Sequence, residues 1–290
     1  MNPVPGFLAS EIDSQKPEDC FFHVIPIPME HSVSYGSGTV KGPDAILHAS
    51  QQLEAWDGQS FPLQMGIHTT APVDCSADTG VVLERITSAA GKTISAGALP
   101  VGLGGEHSLT LGLLRALKQT GPFGIVQFDA HADLRDEYEG NRFSHACVMR
   151  RAVEELDLPL FQIGVRALCH KEHLFRTEAG IGFLDARTVH ESGVPRNPLP
   201  GDFPEKIYIS FDVDGLDPSV IRATGTPVPG GLGWYQSIQL LERCTKNRTT
   251  IGFDVVELSP SPLDHASDFT AAQLVYSIMG IIQRGKSGTF

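Results

Sequence analysis

Seven short runs of the chain are apolar at consecutive rather than alternating positions, and longer segments of helical period separate most of them. A strand that is apolar on both sides needs cover on both sides, and strands joined through intervening helices lie parallel. The runs are Phe21–Ile27, Leu99–Leu103, Gly124–Phe128, Phe161–Val165, Ile181–Leu184, Lys206–Phe211 and Thr250–Val255. The helical segments are Pro43–Trp56, Val81–Ala96, Leu109–Thr120, Ala146–Leu156, Tyr235–Lys246 and Phe269–Arg284. The last is apolar nearly all round (Ala271, Ala272, Leu274, Val275, Ile278, Ile281), as expected of a helix packed into the body. The pattern predicts an α/β fold with a parallel sheet between two helical layers. No linker, repeat or low-complexity tract interrupts it, so residues 1–290 read as one domain.

In such sheets ligands bind outside the carboxyl ends of the strands. Four polar clusters sit at those ends. Leu99–Leu103 runs into Gly104-Gly105-Glu106-His107-Ser108, and Gly124–Phe128 into Asp129-Ala130-His131-Ala132-Asp133. Lys206–Phe211 runs into Asp212-Val213-Asp214-Gly215-Leu216-Asp217-Pro218, and Thr250–Val255 into Val256-Glu257-Leu258-Ser259-Pro260. In extended backbone, residues two apart point the same way, so Asp129, His131 and Asp133 can converge, as can Asp212 and Asp214. Carboxylates and imidazoles crowded at one sheet rim repel one another without a cation. Oxygen-rich ligation with one or two imidazoles suits Mn²⁺, and a carboxylate-bridged pair of ions lowers the pKa of a shared water toward neutrality. A lone Asp-x-Asp or a lone His is most often a solvated or structural feature; four such clusters at four strand ends are not.

The charge balance narrows the partners. Lys and Arg number 22 against 34 Asp and Glu, a formal net charge of -12. That field repels nucleic acid and anionic membrane surfaces and favours small cations. The five cysteines are odd in number and widely spaced with no Cys-x-x-Cys pair, which reads as reduced thiols in a cytoplasmic protein. No signal peptide is visible and no apolar run reaches membrane-spanning length.

The Gly-Gly-Glu-His-Ser, Asp-Ala-His-Ala-Asp, Ser-Phe-Asp-Val-Asp-Gly-Leu-Asp-Pro and Val-Glu-Leu-Ser-Pro segments together resemble the ureohydrolase family of arginases and agmatinases. So do Ser34-Tyr35-Gly36 with Gly42-Pro43, and Gly225-Thr226-Pro227. The resemblance spans nearly the whole chain. It implies a three-layer α/β/α fold around a mostly parallel eight-stranded sheet, trimeric or hexameric assembly, and two Mn²⁺ per subunit. It places one ion on His107, Asp129, Asp133 and Asp212, and the other on His131, Asp129, Asp212 and Asp214, with Asp129 and Asp212 bridging. It makes Glu257 the carboxylate that clamps the substrate guanidinium, by the bidentate pairing such groups favour. It makes His145 the residue that passes a proton to the departing amine, and lets Asp133 hydrogen-bond the attacking hydroxide. The products are urea and an amine.

The loop Leu134–Phe143 lacks the Asn and Ser pattern with which arginases meet an α-carboxylate and is similar to the loop of microbial agmatinases. Acidic Asp136 and Glu137 there suit the terminal ammonium of agmatine, whereas Arg135 and Arg142 would suit 4-guanidinobutyrate or another guanidino acid. A two-metal phosphoesterase, or a non-catalytic metal-binding protein on the same scaffold, are the rival classes. Two motifs are decoys. Gly280–Ser287 spells a phosphate-binding loop, but a helix precedes it where a strand is needed. His170 and His173 flank Glu172 on a segment that reads as a solvated helical face.

Overall fold

The computed structural model describes residues 4–12 and 15–287, so the ends of the expected 1–290 domain (residues 1–3 and 288–290) lie outside the described residues. One sheet holds eight strands: β1 (Phe22–Ile27), β2 (Ile67–Thr69), β3 (Leu99–Gly104), β4 (Gly124–Phe128), β5 (Leu160–Ile163), β6 (Gly182–Leu184), β7 (Lys206–Asp212) and β8 (Thr249–Val256). Their order across the sheet is β2-β1-β3-β8-β7-β4-β5-β6, and every neighbouring pair is parallel. The helices are α1 (Gly42–Ser50), α2 (Thr79–Ser95), α3 (Thr110–Lys118), α4 (Val148–Leu156), α5 (His170–Glu178), α6 (Ala186–Ser192), α7 (Trp234–Thr245) and α8 (His265–Ser287).

Two apolar clusters, one on each side of the sheet, make the three layers. Ile46 and Leu47 of α1, Leu240 and Leu241 of α7 and the apolar residues of α8 pack with Val126, Phe128, Ile209 and Phe211. On the other side Val82 and Ile86 of α2, Leu113 and Leu117 of α3 and Met149 of α4 pack with Ile25, Ile125 and Tyr208. The pleat separates the faces residue by residue. In β4 and β7 it sends Phe128 and Phe211 to the first face, where their rings stack at 4.9 Å. Gln127, Tyr208 and Ser210, each between these apolar neighbours, project to the second, and this polar row supports the site described below.

The helix expected over Pro43–Trp56 stops at Ser50. There Ser50 Oγ and Gln51 Nε2 both donate to the Leu47 carbonyl, at 2.8 Å each, and take up an acceptor that a further helical turn would use. Strand β2 and helix α6 lie where no element was expected. The Gly280–Ser287 motif is inside α8, which leaves it no phosphate-cradling loop. The described cysteines are all free thiols. Among the described residues no helix is long and apolar enough to cross a membrane.

Candidate active site

The strands bearing the four clusters, β3, β8, β7 and β4, are the four contiguous central strands of the sheet, so His107, Glu257, Asp212, Asp214, Asp129, His131 and Asp133 emerge side by side. Close backbone approach makes this possible. A Cβ on Gly105 would stand 2.0 Å from the Met29 carbonyl oxygen, and one on Gly215 would stand 2.9 Å from the Asp129 nitrogen. Asp133 (φ 54°) and Glu257 (φ 65°) both adopt the left-handed backbone region that residues with a Cβ avoid. Such strain, on the order of 1–2 kcal/mol each, turns both carboxylates into the site.

Two groups of ligand atoms result, and they share Asp129. His107, Asp129 and Asp133 form one; Asp129, His131 and Asp214 form the other. His107 Nδ1 lies 3.1 Å from Asp129 Oδ2, 3.0 Å from Asp133 Oδ2 and 3.5 Å from Asp212 Oδ2. His131 Nδ1 lies 3.0 Å from Asp214 Oδ2 and 3.6 Å from Asp129 Oδ1. Asp212 falls outside both groups and stands beside the first.

The donors fit divalent metal. His107 Nε2 meets Ser210 Oγ at 2.8 Å, and Ser210 in turn donates to Asp254 Oδ1 at 2.9 Å. The Asp254 carboxylate is further held by Tyr208 and Thr110, so Ser210 is left to accept from His107 Nε2–H. In the neutral ring the lone pair is then on Nδ1, which is buried, has no hydrogen-bond partner and faces three carboxylates. Burial opposes charge on this ring, yet Asp129 and Asp133 push it well above the ordinary histidine value. Burial likewise opposes charge on His131, but its carboxylate neighbours raise it to about 11. Asp212 is driven well above the usual carboxylate range by burial and by Asp214, Asp129 and Glu257. Groups that pull one another toward positive charge in this way are those a cation would satisfy. Because a second shell of this kind orients its ligand, Ser210→Ala is expected to weaken divalent-ion affinity about 10–100-fold, read by competition with a fluorescent chelator. Unchanged affinity would mean that the Asp254–Ser210 pair does not orient His107.

Other strand residues grip the shared carboxylate. Gln127 Nε2 donates to Asp129 Oδ2 at 2.8 Å and is itself held by Gln162, while the His131 N–H donates to Asp129 Oδ1 at 2.6 Å. Arg166 fastens the loop after β7 by donating to the carbonyls of Gly164, Asp214, Gly215, Leu216 and Val228.

A cavity of about 340 Å³ opens in front of these groups, with His131, Asp133 and His145 on its wall together with Ser34, Arg135, Tyr138, Cys169, Glu172 and Thr226. A narrower recess continues inward to Asp212, Asp214 and Glu257. Glu257 Oε1 accepts the His107 N–H at 2.6 Å, and burial raises its carboxyl to about 8. Asp136 and Glu137 are not among the lining residues. Asp136 accepts from Arg151 at 2.7 Å and lies near Arg142. Of the two arginines of that loop, Arg135 reaches the cavity and Arg142 does not.

The expected solvated helical face holds for His170 and His173, which are exposed, but not for Glu172 between them, which is only 4% exposed. Its Oε1 accepts from the Leu134 N–H and its Oε2 from the Cys169 N–H, so the carboxylate closes the cavity wall. Ser34, Tyr138 and Thr226, to which the sequence assigned no individual role, also line the cavity; they come from the Ser34-Tyr35-Gly36 and Gly225-Thr226-Pro227 segments and from the loop Leu134–Phe143.

Comparison with known proteins agrees with this architecture. Residues 21–280 match the model of the arginase family. The N(1)-aminopropylagmatine ureohydrolase of Synechocystis sp. is 38% identical, over 89% of this chain and 87% of its own. The agmatinase of Pyrococcus horikoshii is 34% identical, over 92% of this chain and 94% of its own. The crystal structure of the agmatine ureohydrolase of Thermoplasma volcanium superposes with a TM-score of 0.87 at 30% identity, covering 98% of this chain and 97% of that one. An all-parallel sheet with carboxylates and imidazoles on its central strand ends, matched over 260 residues by one family model, makes the chain a member of the arginase family and a ureohydrolase enzyme.

Proposed function

We propose that this protein hydrolyses the guanidino group of a small cation with a second basic end, agmatine before others, to urea and the corresponding amine. The carrying observation is the order of groups along the cavity: two sets of residues able to hold a metal ion and a buried carboxylate, Glu257, at the inner end, and a second buried carboxylate, Glu172, on the outer wall.

His107, Asp129, Asp133 and Asp212 would hold one ion, and His131, Asp214, Asp129 and Asp212 the other, with Mn²⁺ suited to so many oxygens. Such a pair, when bound, supplies Lewis acidity and a water of lowered pKa. The chain supplies the rest. Glu257, with one oxygen engaged by the His107 N–H, keeps the other for the guanidinium, whose charge offsets what burial costs the carboxylate. Asp133 accepts a hydrogen bond from the attacking water. His145, on the cavity wall, delivers a proton to the departing nitrogen, since an unprotonated amine anion is too poor a leaving group.

At the outer end Glu172 favours an ammonium. One observation supports a second reading, a guanidino acid such as 4-guanidinobutyrate: Arg135 also lines the cavity. Its guanidinium, however, stands 3.9 Å from Glu172 and lies over the Tyr138 ring at 5.0 Å, so it is already engaged. Urea release by Mn²⁺-loaded protein, measured in parallel on agmatine, N(1)-aminopropylagmatine, arginine and 4-guanidinobutyrate, tests the reading. The amines are expected to exceed the acids in kcat/KM by at least about tenfold, and preference for an acid would reassign the outer wall to Arg135. Because Asp136 is taken by Arg151, Asp136→Asn is expected to leave kcat/KM for agmatine within about threefold. A loss of a hundredfold would return the acidic loop to the site.

A further inference from the structure

The side chain that follows the Gly-Gly pair, Glu106, is fully buried and plays no part in the scheme above. Its Oε2 accepts the backbone N–H of His31 and of Ser32, at 2.6 Å each. Its Oε1 accepts the hydroxyls of Ser108 and Ser32, the latter at 3.0 Å. Ser32 Oγ in turn accepts the His145 backbone N–H at 3.0 Å and lies 3.2 Å from His145 Nδ1.

A hydroxyl has one proton to give and two lone pairs. Ser32 gives its proton to a carboxylate, which can only accept, and one lone pair goes to the His145 backbone. What remains for His145 Nδ1 is a lone pair, so the Ser32 contact is a hydrogen bond only when Nδ1 brings the proton. Ser144 Oγ, 3.3 Å from the same nitrogen, can share that proton as a second acceptor. We propose that Glu106, acting through Ser32, sets the tautomer of His145, fixing a proton on Nδ1 and leaving Nε2 as the nitrogen that takes up and gives away a proton. Glu106 and Ser32, neither of which lines the cavity, are thus positioning residues. The consequence for turnover rests on the reading of His145 as proton donor; the tautomer itself does not.

The substitution Glu106→Gln separates the two. Its amide oxygen must face the two backbone N–H groups, which turns the NH₂ toward Ser32. Ser32 Oγ then accepts from the amide, and its own proton turns to His145 Nδ1. Side-chain ¹⁵N spectra of histidine-labelled protein loaded with diamagnetic Zn²⁺, with His145 assigned by difference against His145→Asn, report the tautomer directly. The wild type is expected to show a protonated Nδ1 and a bare Nε2 when the ring is neutral, and Glu106→Gln the reverse. With Mn²⁺, Glu106→Gln is expected to lower kcat by about 10–100-fold with KM and bound metal little changed. If Glu106→Gln does not fold, Ser32→Thr should keep the wild-type tautomer and Ser32→Ala should lose it. A wild-type ring protonated on Nε2, or a tautomer indifferent to both Glu106→Gln and Ser32→Ala, overturns the proposal. A reversed tautomer with unchanged kcat upholds the relay and overturns proton delivery by His145 instead.

Discussion

Asp129→Asn is expected to reduce guanidine hydrolysis by about 10³-fold or more and to leave the protein with less than its full complement of divalent ion. Asp129 belongs to both ligand groups, so its loss affects both. Lewis-acid stabilisation is worth several kcal/mol, and each 1.36 kcal/mol is a factor of ten in rate. Asparagine also misfits locally. The two oxygens of Asp129 accept from Gln127 Nε2 and from the His131 N–H, so an amide NH₂ on either side meets a donor. That mismatch costs about 1–3 kcal/mol of stability. Elemental analysis of protein purified without chelator, beside a urea assay, checks both. Two ions per chain with undiminished turnover in the variant would remove Asp129 from the site.

The second large effect concerns folding. Arg166→Met is expected to destabilise the protein by about 3 kcal/mol or more, because five backbone carbonyls lose a charged donor and methionine replaces it with none. At roughly 2–4 °C per kcal/mol in proteins of comparable size, this lowers Tm by about 6–12 °C. Arg166→Lys recovers only part, since an ammonium has three donors and no planar fork. Calorimetry decides the matter. A Tm within about 2 °C of wild type would show that water replaces the guanidinium at those carbonyls.

How far the sequence led can be seen in particular residues. The doubly apolar runs gave the parallel sheet, because burial on both faces leaves no polar alternation to mislead the reading, and the boundaries of β4 fell where expected. The carboxylates and imidazoles that the structure gathers at the sheet rim were legible because chemistry of that kind is rarely repeated at strand ends by chance. Strand order was not legible: nothing local to β8 says that it inserts between β3 and β7, yet that insertion brings Glu257 beside His107. The left-handed backbone at Asp133 and Glu257 was hidden too, since glutamate rarely adopts it and an aspartate does so too seldom to advertise it. Glu172 looked solvated because its partners, the N–H groups of Leu134 and Cys169, are backbone atoms that no side-chain pattern encodes. Strand β2, three residues long, has too few positions to show a period.

The most direct test of guanidine hydrolysis at this site is urea release from agmatine by Mn²⁺-loaded wild type and Glu257→Gln side by side. The account predicts steady turnover by the wild type and a kcat/KM lower by about 10²-fold or more in the variant, with bound metal unchanged. No urea from the wild type, or equal turnover by both proteins, would contradict it.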